Sequence, residues 1–253
     1  MAIWFRMKDP LVSKLRTRFV NLKESFKVDN FGRWLWPPVC LVCGQGSDTQ
    51  QDCCSGCHAD LPFSRAACRR CALVLPAEVE ACGQCGRKPP AFDGAWAGFA
   101  YDPPIAGLVQ QFKFGHDLAA GRVLAWLLAE RLSGQAARPD LIVPVPLNWR
   151  RQWQRGFNQA ALLCRDLSAG YGRLPWLDAL VRTRQTLAQS ALPASQRAGN
   201  VRGAFAVRYL PPGARHVALV DDVMTTGATL RECARVLKKA GVGRVDVWVV
   251  ARA

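Results

Sequence analysis

Short apolar runs alternate with longer amphipathic stretches in the part of the chain after residue 90. The short runs are continuous and rich in valine, isoleucine or aromatic residues, which is typical of buried strands. They occupy residues 95–101, 141–146, 217–220 and 245–250, with shorter candidates near 179–182 and 204–207. The longer stretches predict helices over 103–112, 119–132, 158–169 and 228–240. This alternation predicts an α/β fold with a mostly parallel sheet flanked by helices.

The segment that follows the apolar run 217–220 carries the most chemistry. Two adjacent carboxylates, Asp221 and Asp222, come first, and the loop Thr225-Thr226-Gly227-Ala228-Thr229 then leads into a predicted helix. Backbone amides at a helix N-terminus bind phosphate, and Gly227 permits close approach or a positive φ. The carboxylates can accept hydrogen bonds from ribose hydroxyls. The segment therefore predicts a sugar-phosphate site, and the sequence contains neither a P-loop nor a Rossmann fingerprint.

A second candidate loop lies at the end of the apolar run 141–146. Ligands of parallel sheets bind beyond the carboxyl ends of the strands, so both loops are expected at one edge of the sheet. Guanidinium and ammonium groups suit a pyrophosphate there. The candidate contacts are Pro146, Leu147, Arg155 and Lys113.

Nine of the eleven cysteines fall between positions 40 and 85. Four Cys-x2-Cys pairs recur with ten residues between consecutive pairs, and two such pairs complete the tetrahedral thiolate shell that Zn2+ prefers. The predicted ligands of two structural zinc sites are Cys40, Cys43, Cys54, Cys57, Cys68, Cys71, Cys82 and Cys85. Sequential pairing is the expected arrangement, and cross-bracing is the alternative. The repeat selects Cys54 over Cys53, and His58 is a competing ligand.

These patterns divide the chain into three parts: a basic arm over 1–39, a double zinc ribbon over 40–86 and an α/β domain over 91–253. The ribbon segment is too short for an apolar core of its own, so metal binding would supply much of its folding energy. We therefore expect chelation of the metal to unfold residues 40–86 and to leave the rest largely intact.

Charge and the arm both favour anionic partners. The 253-residue chain has a formal net charge of +15, which suits nucleic acid, phosphorylated small molecules or an anionic membrane surface. The arm has a stripe of apolar residues at helical spacing, which predicts an amphipathic helix. We expect this helix to contact a membrane surface or DNA, to dock on the protein itself, or to stay loosely ordered. Because the sequence shows no apolar run of about 18 residues and no secretory signal, we expect a cytoplasmic protein without a transmembrane segment.

The Asp-Asp and Thr-Thr-Gly-x-Thr segment resembles the phosphoribosyl-pyrophosphate (PRPP) signature of type I phosphoribosyltransferases. Further motifs extend the likeness: Phe112-Lys113-Phe114, Val143 to Leu147, Arg155-Gly-Phe-Asn-Gln159, Arg182-Thr-Arg184, Thr186, Gln189, Arg197 and Asn200. With the cysteine repeat, residues 40–253 resemble the ComF family. The resemblance implies a type I phosphoribosyltransferase-like fold with an N-terminal double zinc ribbon, and a role in natural transformation, the uptake and processing of single-stranded DNA.

The resemblance also implies roles for the candidate residues. Asp221 and Asp222 would form the catalytic pair that holds the ribose diol of PRPP directly or through Mg2+, and residues 225–229 would bind its 5′-phosphate. Single-stranded DNA and the DNA-uptake machinery are the expected partners, and the acceptor of the phosphoribosyl group is not evident from any motif. One alternative is a non-catalytic protein that senses PRPP or a nucleotide and binds DNA. A nucleobase-salvage transferase is the other.

Aromatic and histidine residues leave further alternatives open. Four tryptophans near basic residues suit the stacking of single-stranded bases, or they belong to the core. They are Trp34, Trp36, Trp149 and Trp153. His116 is a candidate for the cleft, whereas His216, directly before a strand, is expected to pack.

Overall fold

A computed structural model of the chain describes residues 38–134, 136–148, 152–153, 156–187 and 192–253. The predicted basic arm therefore lies outside the described residues except for its last two positions, as do Arg155 and Trp149. No helix in the described ranges combines the length and apolar character that crossing a bilayer requires.

Six strands and seven helices make up the regular structure of the described residues. The strands are β1 (Gly94–Ala100), β2 (Leu141–Pro144), β3 (Leu180–Arg182), β4 (Phe205–Val207), β5 (His216–Met224) and β6 (Arg244–Arg252). The helices are α1 (Ser55–Ala59), α2 (Gly83–Arg87), α3 (Ile105–Phe114), α4 (Leu118–Leu132), α5 (Gln159–Gly170), α6 (Ala194–Val201) and α7 (Ala228–Lys239).

Four strands form one parallel sheet in the order β1-β6-β5-β2. The predicted α/β class with a parallel sheet is thereby confirmed. Alternating residues of β5 enter different cores: Ala218 and Val220 face α3, α4 and α5, whereas Val217 and Leu219 face α7. Burial of each leucine or valine in these two cores contributes roughly 1.5–3 kcal/mol.

The structure differs from the sequence prediction in three places. Strand β5 continues to Met224, because its pairing with β6 extends through Asp221, Val223 and Met224. Strands β3 and β4 pair antiparallel with each other, outside the main sheet. Helix α6, which lies between them in the chain, was not predicted. It packs with β4 against α7, so this small lobe stands over one face of the sheet.

The two zinc ribbons pack into the cores of the α/β domain. Cys53 and Leu61 of the first ribbon are buried in the core beside α3 and α4, and Ala72 of the second ribbon is buried in the core beside α7. The ribbons also cover the outer edge of β1. The Ala100 amide donates to the Pro62 carbonyl of the first ribbon at 2.9 Å, and the Ala95 amide donates to the Arg69 carbonyl of the second ribbon at 3.0 Å. Such cover protects an edge strand from foreign pairing.

Metal removal is therefore expected to loosen β1 as well as residues 40–86. A metal-free ribbon would release the amides of Ala95 and Ala100, so their hydrogen exchange should accelerate in protein treated with a chelator. The opposite edge strand, β2, is the internal control, because its Ile142 amide donates to Pro175 and not to a ribbon. Exchange measured by mass spectrometry that changes only within 40–86 would contradict this expectation.

Candidate functional site

Two cysteine clusters lie in the ribbons, and each gathers four sulfurs within 4.8 Å of one another. The first contains Cys40, Cys43, Cys54 and Cys57, and the second contains Cys68, Cys71, Cys82 and Cys85. Sulfur pairs at 3.9 Å in the first cluster and 3.8 Å in the second match the edge of about 3.8 Å of a zinc–thiolate tetrahedron. The eight cysteines thus fit two zinc ions, and they pair sequentially.

The remaining thiol and histidine in the ribbons have other contacts. Cys53 is fully buried in the neighbouring core, and burial, followed by the charges of nearby cysteines, raises the pKa of its thiol to about 11. His58 lies 2.9 Å from Glu130 of α4 through Nε2. The repeat therefore selected the correct cysteine, and His58 helps to dock the first ribbon.

A cavity of about 420 Å3 opens at the carboxyl end of the sheet. Strand β2 pairs with β5 only as far as Pro144 and Val220, whereas β5 continues to Met224. The last bond of this ladder runs from the Val145 amide to the Val220 carbonyl at 3.0 Å, and the residues of β5 beyond it are open on that side. The cavity occupies the space beside them.

The residues predicted for the sugar-phosphate and pyrophosphate site, as far as the structure describes them, all line this one cavity. They are Lys113, Pro146, Leu147, Asp221, Asp222, Thr225, Thr226, Gly227, Ala228 and Thr229. Arg155, the remaining predicted contact, lies outside the described residues. Residues from α3, from the end of β2 and from the β5–α7 segment therefore converge on a single space. Their individual roles stay predictions.

The loop before α7 has the geometry of an anion-binding loop. Gly227 adopts a left-handed conformation with φ of +71° at the N-cap of α7. The amides of Thr226, Gly227 and Leu230 donate to no acceptor in the described part of the chain, as is usual for amides at a helix start. The Thr225 hydroxyl accepts a hydrogen bond from Arg197 at 2.9 Å. A phosphate placed on this loop would meet free amides at the positive end of a helix dipole.

The acidic pair is held by backbone amides and by one lysine. The Asp222 amide donates to Asp221 at 2.9 Å, and the Val223 amide donates to Asp222 at 2.6 Å. Lys113 Nζ of α3 lies 2.8 Å from Asp222 Oδ1. Burial, followed by repulsion from Asp222, raises the pKa of Asp221 to about 7, although the Lys113 charge opposes this. Both carboxylates therefore line one cavity, and a lysine is bonded to the second of them.

The loop after β2 offers fewer backbone donors than its sequence indicates. Pro146 has no amide hydrogen, and the Val145 amide already donates to Val220 at 3.0 Å. The Leu147 amide has no acceptor within the described ranges, so it is the candidate donor to a ligand. Asn158, the N-cap of α5, fixes the loop by donating from Nδ2 to the Val145 carbonyl at 3.1 Å.

Two arginines in the cavity were missed as site residues. Arg182 of β3 and Arg197 of α6 both line it. Both belong to motifs of the family resemblance, but only the folding of the small lobe over the sheet brings them to the cleft. Gln159, at the start of α5, also lines it, and its side chain is buried.

The structure places the two candidate histidines and Trp153, the one candidate tryptophan among the described residues, in different surroundings. His216 packs in β5, where Nε2 lies 2.7 Å from the buried carboxylate of Asp246, as expected. His116 does not line the cavity and instead meets Phe157 edge to face. Trp153 is 88% exposed, so it does not belong to the core.

Comparisons with known proteins identify the family. The profile described as "Double zinc ribbon domain" matches residues 31–86. The "DNA utilization protein YhgH" of Escherichia coli K12 is 37% identical over 238 residues, which cover 87% of this chain and 92% of that protein. The "Competence protein F" of Haemophilus influenzae is 43% identical over 60% of this chain and 70% of that protein. The chain belongs to the ComF family.

Solved structures match the ComF chain over shorter stretches. The purine phosphoribosyltransferase of Pyrococcus horikoshii is 19% identical with a TM-score of 0.33, covering 53% of this chain and 83% of that chain. An allosteric regulatory enzyme of purine biosynthesis is 20% identical with a TM-score of 0.34, and the ComF chain spans only 26% of its length. The profile match, the parallel sheet and the two cysteine clusters together confirm the predicted α/β domain with an N-terminal double zinc ribbon. The type I phosphoribosyltransferase-like character of that domain stays a prediction.

Removal of the Asp221 charge is expected to stabilise the ComF chain above neutral pH. The pKa of Asp221 lies above its ordinary value of 3.8, so the folded state binds this proton more tightly than the unfolded state does. The resulting stabilisation is complete below pH 3.8 and is lost as the pH rises through about 7. The free energy of unfolding of Asp221→Asn should therefore be about 1–3 kcal/mol higher than that of the original chain at pH 8. Near pH 4 the two free energies should be similar, and urea denaturation measures both.

Asp140 provides a control of opposite sign. Amides of His216 and Arg215 donate to its carboxylate and lower its pKa. Its contribution is therefore present above the ordinary pKa and disappears as the pH falls, so Asp140→Asn should destabilise at neutral pH and not in acid. An Asp221→Asn variant whose stability difference does not change with pH would contradict the expected sign.

Proposed function

We propose that the cleft at the end of β5 binds PRPP together with Mg2+ and supports phosphoribosyl transfer in the handling of DNA. The observation that carries this proposal is the convergence, on one cavity, of an anion-binding loop, an acidic pair and several cations. PRPP has a 5′-phosphate, a ribose diol and a pyrophosphate, and each finds a complementary group there.

The 5′-phosphate is assigned to the loop from Thr225 to Thr229. This assignment is supported by the left-handed Gly227, the N-cap of α7, after which the next amides form the first turn of that helix. Those amides and the threonine hydroxyls donate without bulky side chains. Arg197, already bonded to the Thr225 hydroxyl, places a positive charge beside the same loop.

The ribose diol and Mg2+ are assigned to Asp221 and Asp222. Adjacent carboxylates at the rim of a cavity are the oxygen donors that Mg2+ accepts, and the ion would keep several waters. When bound, Mg2+ neutralises part of the pyrophosphate charge. Because the pKa of Asp221 is raised to about 7, this carboxyl group is partly protonated at neutral pH, and a bound cation would favour loss of that proton.

The pyrophosphate is assigned to the part of the cleft lined by Leu147, Lys113 and Arg182. The Leu147 amide there donates to no acceptor within the described ranges, and the cations Lys113 and Arg182 also line the cavity. Lys113 is bonded to Asp222 in this structure, so a bound pyrophosphate would compete for its ammonium group. Such cations act by neutralising the charge that develops on the leaving group.

In the reaction, a nucleophile of the acceptor bonds to the anomeric carbon while the bond from that carbon to the pyrophosphate oxygen breaks. The pyrophosphate leaves with the electron pair, and positive charge develops on the ribose ring. Asp221 and Asp222 lie where they can stabilise that charge, while the cleft walls position the reactants. Absence of pyrophosphate release with bases, nucleotides and DNA as acceptors would favour the alternative, a protein that senses PRPP without catalysis.

Single-stranded DNA is the second proposed ligand. Similar proteins carry the names competence protein and DNA utilization protein, and the net charge of +15 suits a polyanion. Trp153 supports the proposal because an aromatic ring that is 88% exposed can stack on a base. We place the protein in the cytoplasm, where a reducing environment preserves the zinc thiolates.

Binding of PRPP should depend on the backbone at Gly227. In Gly227→Ala a methyl group at φ of +71° is strained and lies 3.3 Å from Met224 Sδ, so affinity for PRPP with Mg2+ should fall about tenfold or more in calorimetry. The double variant Asp221→Asn with Asp222→Asn should lose binding altogether while its zinc content stays unchanged.

Gly107→Ala is the matched control for that measurement. Gly107 is exposed in the first turn of α3 with open space around it, so its substitution should leave PRPP affinity unchanged and raise helix stability slightly. The site assignment is wrong if the double aspartate variant binds PRPP as tightly as the original chain.

Binding of single-stranded DNA should weaken when Trp153 is removed. Loss of one stacked base costs about 1–3 kcal/mol, so Trp153→Ala should reduce affinity about fivefold or more, and affinity should fall steeply with salt. Tyr209→Ala, which removes an aromatic side chain that is 56% exposed elsewhere, is the control. Fluorescence anisotropy that shows no salt dependence would remove DNA from this account.

A further inference from the structure

We propose that Arg252 is a positioning residue that fixes the loop from Thr225 to Thr229, the phosphate loop, to the second cysteine cluster. The metal at the second cysteine cluster would then set the geometry of the loop, and the metal at the first would not. The expected effect on PRPP affinity rests on the proposed function, whereas the effect on the loop itself does not.

Arg252 bridges the two parts directly. Its Nε donates to the carbonyl of Cys71, a member of the second cluster, at 3.3 Å. Its Nη1 donates to the carbonyl of Met224 at 3.0 Å. Met224 is the last residue of β5 and precedes Thr225, so one guanidinium group joins a metal-site residue to the start of the phosphate loop.

The second ribbon also forms a wall behind the loop. A second cavity, of about 330 Å3, lies on the side of the loop away from the main cleft. Residues of the ribbon and of the loop both line it. Cys71 and Gln84 come from the ribbon, whereas Thr225, Thr226 and Gly227 come from the loop. The rear of the loop thus faces the ribbon, with Arg252 as the hydrogen-bonded link.

Charge favours the same link. A divalent ion with four thiolates has a formal net negative charge, and the four cysteines of the second cluster are all buried. Arg252 is half-buried and forms no ion pair with a carboxylate in the described ranges. The negative charge of the cysteine cluster therefore attracts the guanidinium group, and this attraction holds Arg252 where it also reaches Met224.

Among the described residues, the first cluster shows no such connection to the loop. Its ribbon docks on α4 through His58, which meets Glu130 and the ring of Trp126. None of the four cysteines of that cluster lines either cavity beside the phosphate loop. Loss of the two metals should consequently have different effects on the loop.

The guanidinium shape is essential to this role. Arginine presents several donors in a rigid plane and can serve two carbonyls at once, whereas lysine has one compact ammonium group. Arg252→Lys keeps the charge but cannot reproduce both bonds, and Arg252→Met keeps only the aliphatic stem. Two variants of graded severity therefore separate charge from geometry.

The test is hydrogen exchange of the full chain with zinc bound, together with zinc content and PRPP affinity. Arg252→Met should speed exchange of two hydrogen-bonded amides about tenfold: that of Ala253, which donates to Met224 at 3.1 Å, and that of Arg231, which donates to Gly227 at 2.8 Å. It should weaken PRPP binding by a similar factor, and Arg252→Lys should give a smaller change in both quantities. Exchange in α5 should stay unchanged, because a general loss of stability would raise it too. Arg165→Met, which removes an exposed arginine paired with its neighbour Asp166, should change neither quantity.

Single cysteine variants complete the test. Cys85→Ser in the second cluster should reproduce the faster exchange of the Ala253 and Arg231 amides seen with Arg252→Met, whereas Cys57→Ser in the first should not. Equal exchange of these two amides in Arg252→Met, Arg252→Lys and the original chain would overturn the proposal. If the original chain fails to bind PRPP, the proposed function fails, and the exchange data alone decide the role of Arg252.

Discussion

The unequal lengths of two neighbouring strands determine where the cleft lies. Strand β2 ends at Pro144, while β5 continues to Met224, and its last residues pair with β6 in the described part of the chain. The backbone that carries Asp221 and Asp222 is therefore rigid on one side and open on the other. Helix α7 begins directly afterwards, so its unpaired amides reach the same opening. A cleft with acidic, cationic and anion-binding walls follows from that difference in length.

Local patterns predicted most of this arrangement. Apolar runs located the four strands of the sheet, and the left-handed conformation at Gly227 follows from a glycine placed before a helix start. The spacing of the cysteine pairs predicted both metal clusters and selected Cys54 over Cys53. These features depend on a few neighbouring residues, which is why one sequence is enough to predict them.

Features that depend on distant segments were not predicted. The length of β5 is set by its pairing with β6, and carboxylates alone do not indicate a strand. Arg182 and Arg197 reach the cleft only because β3, α6 and β4 fold over the sheet. The link from Arg252 to Cys71 joins residues 181 positions apart. The ribbons consequently act as part of the α/β domain, although the cysteine repeat indicates a separate module.

The central claim is that this cleft holds a ribose phosphate. A crystal structure of the chain grown with PRPP and Mg2+ tests it most directly. The account predicts the 5′-phosphate on the amides between Thr226 and Leu230, and the ribose diol at Asp221 and Asp222. A cleft that remains empty at saturating PRPP, or a PRPP molecule bound elsewhere while Lys113 stays bonded to Asp222, would contradict it.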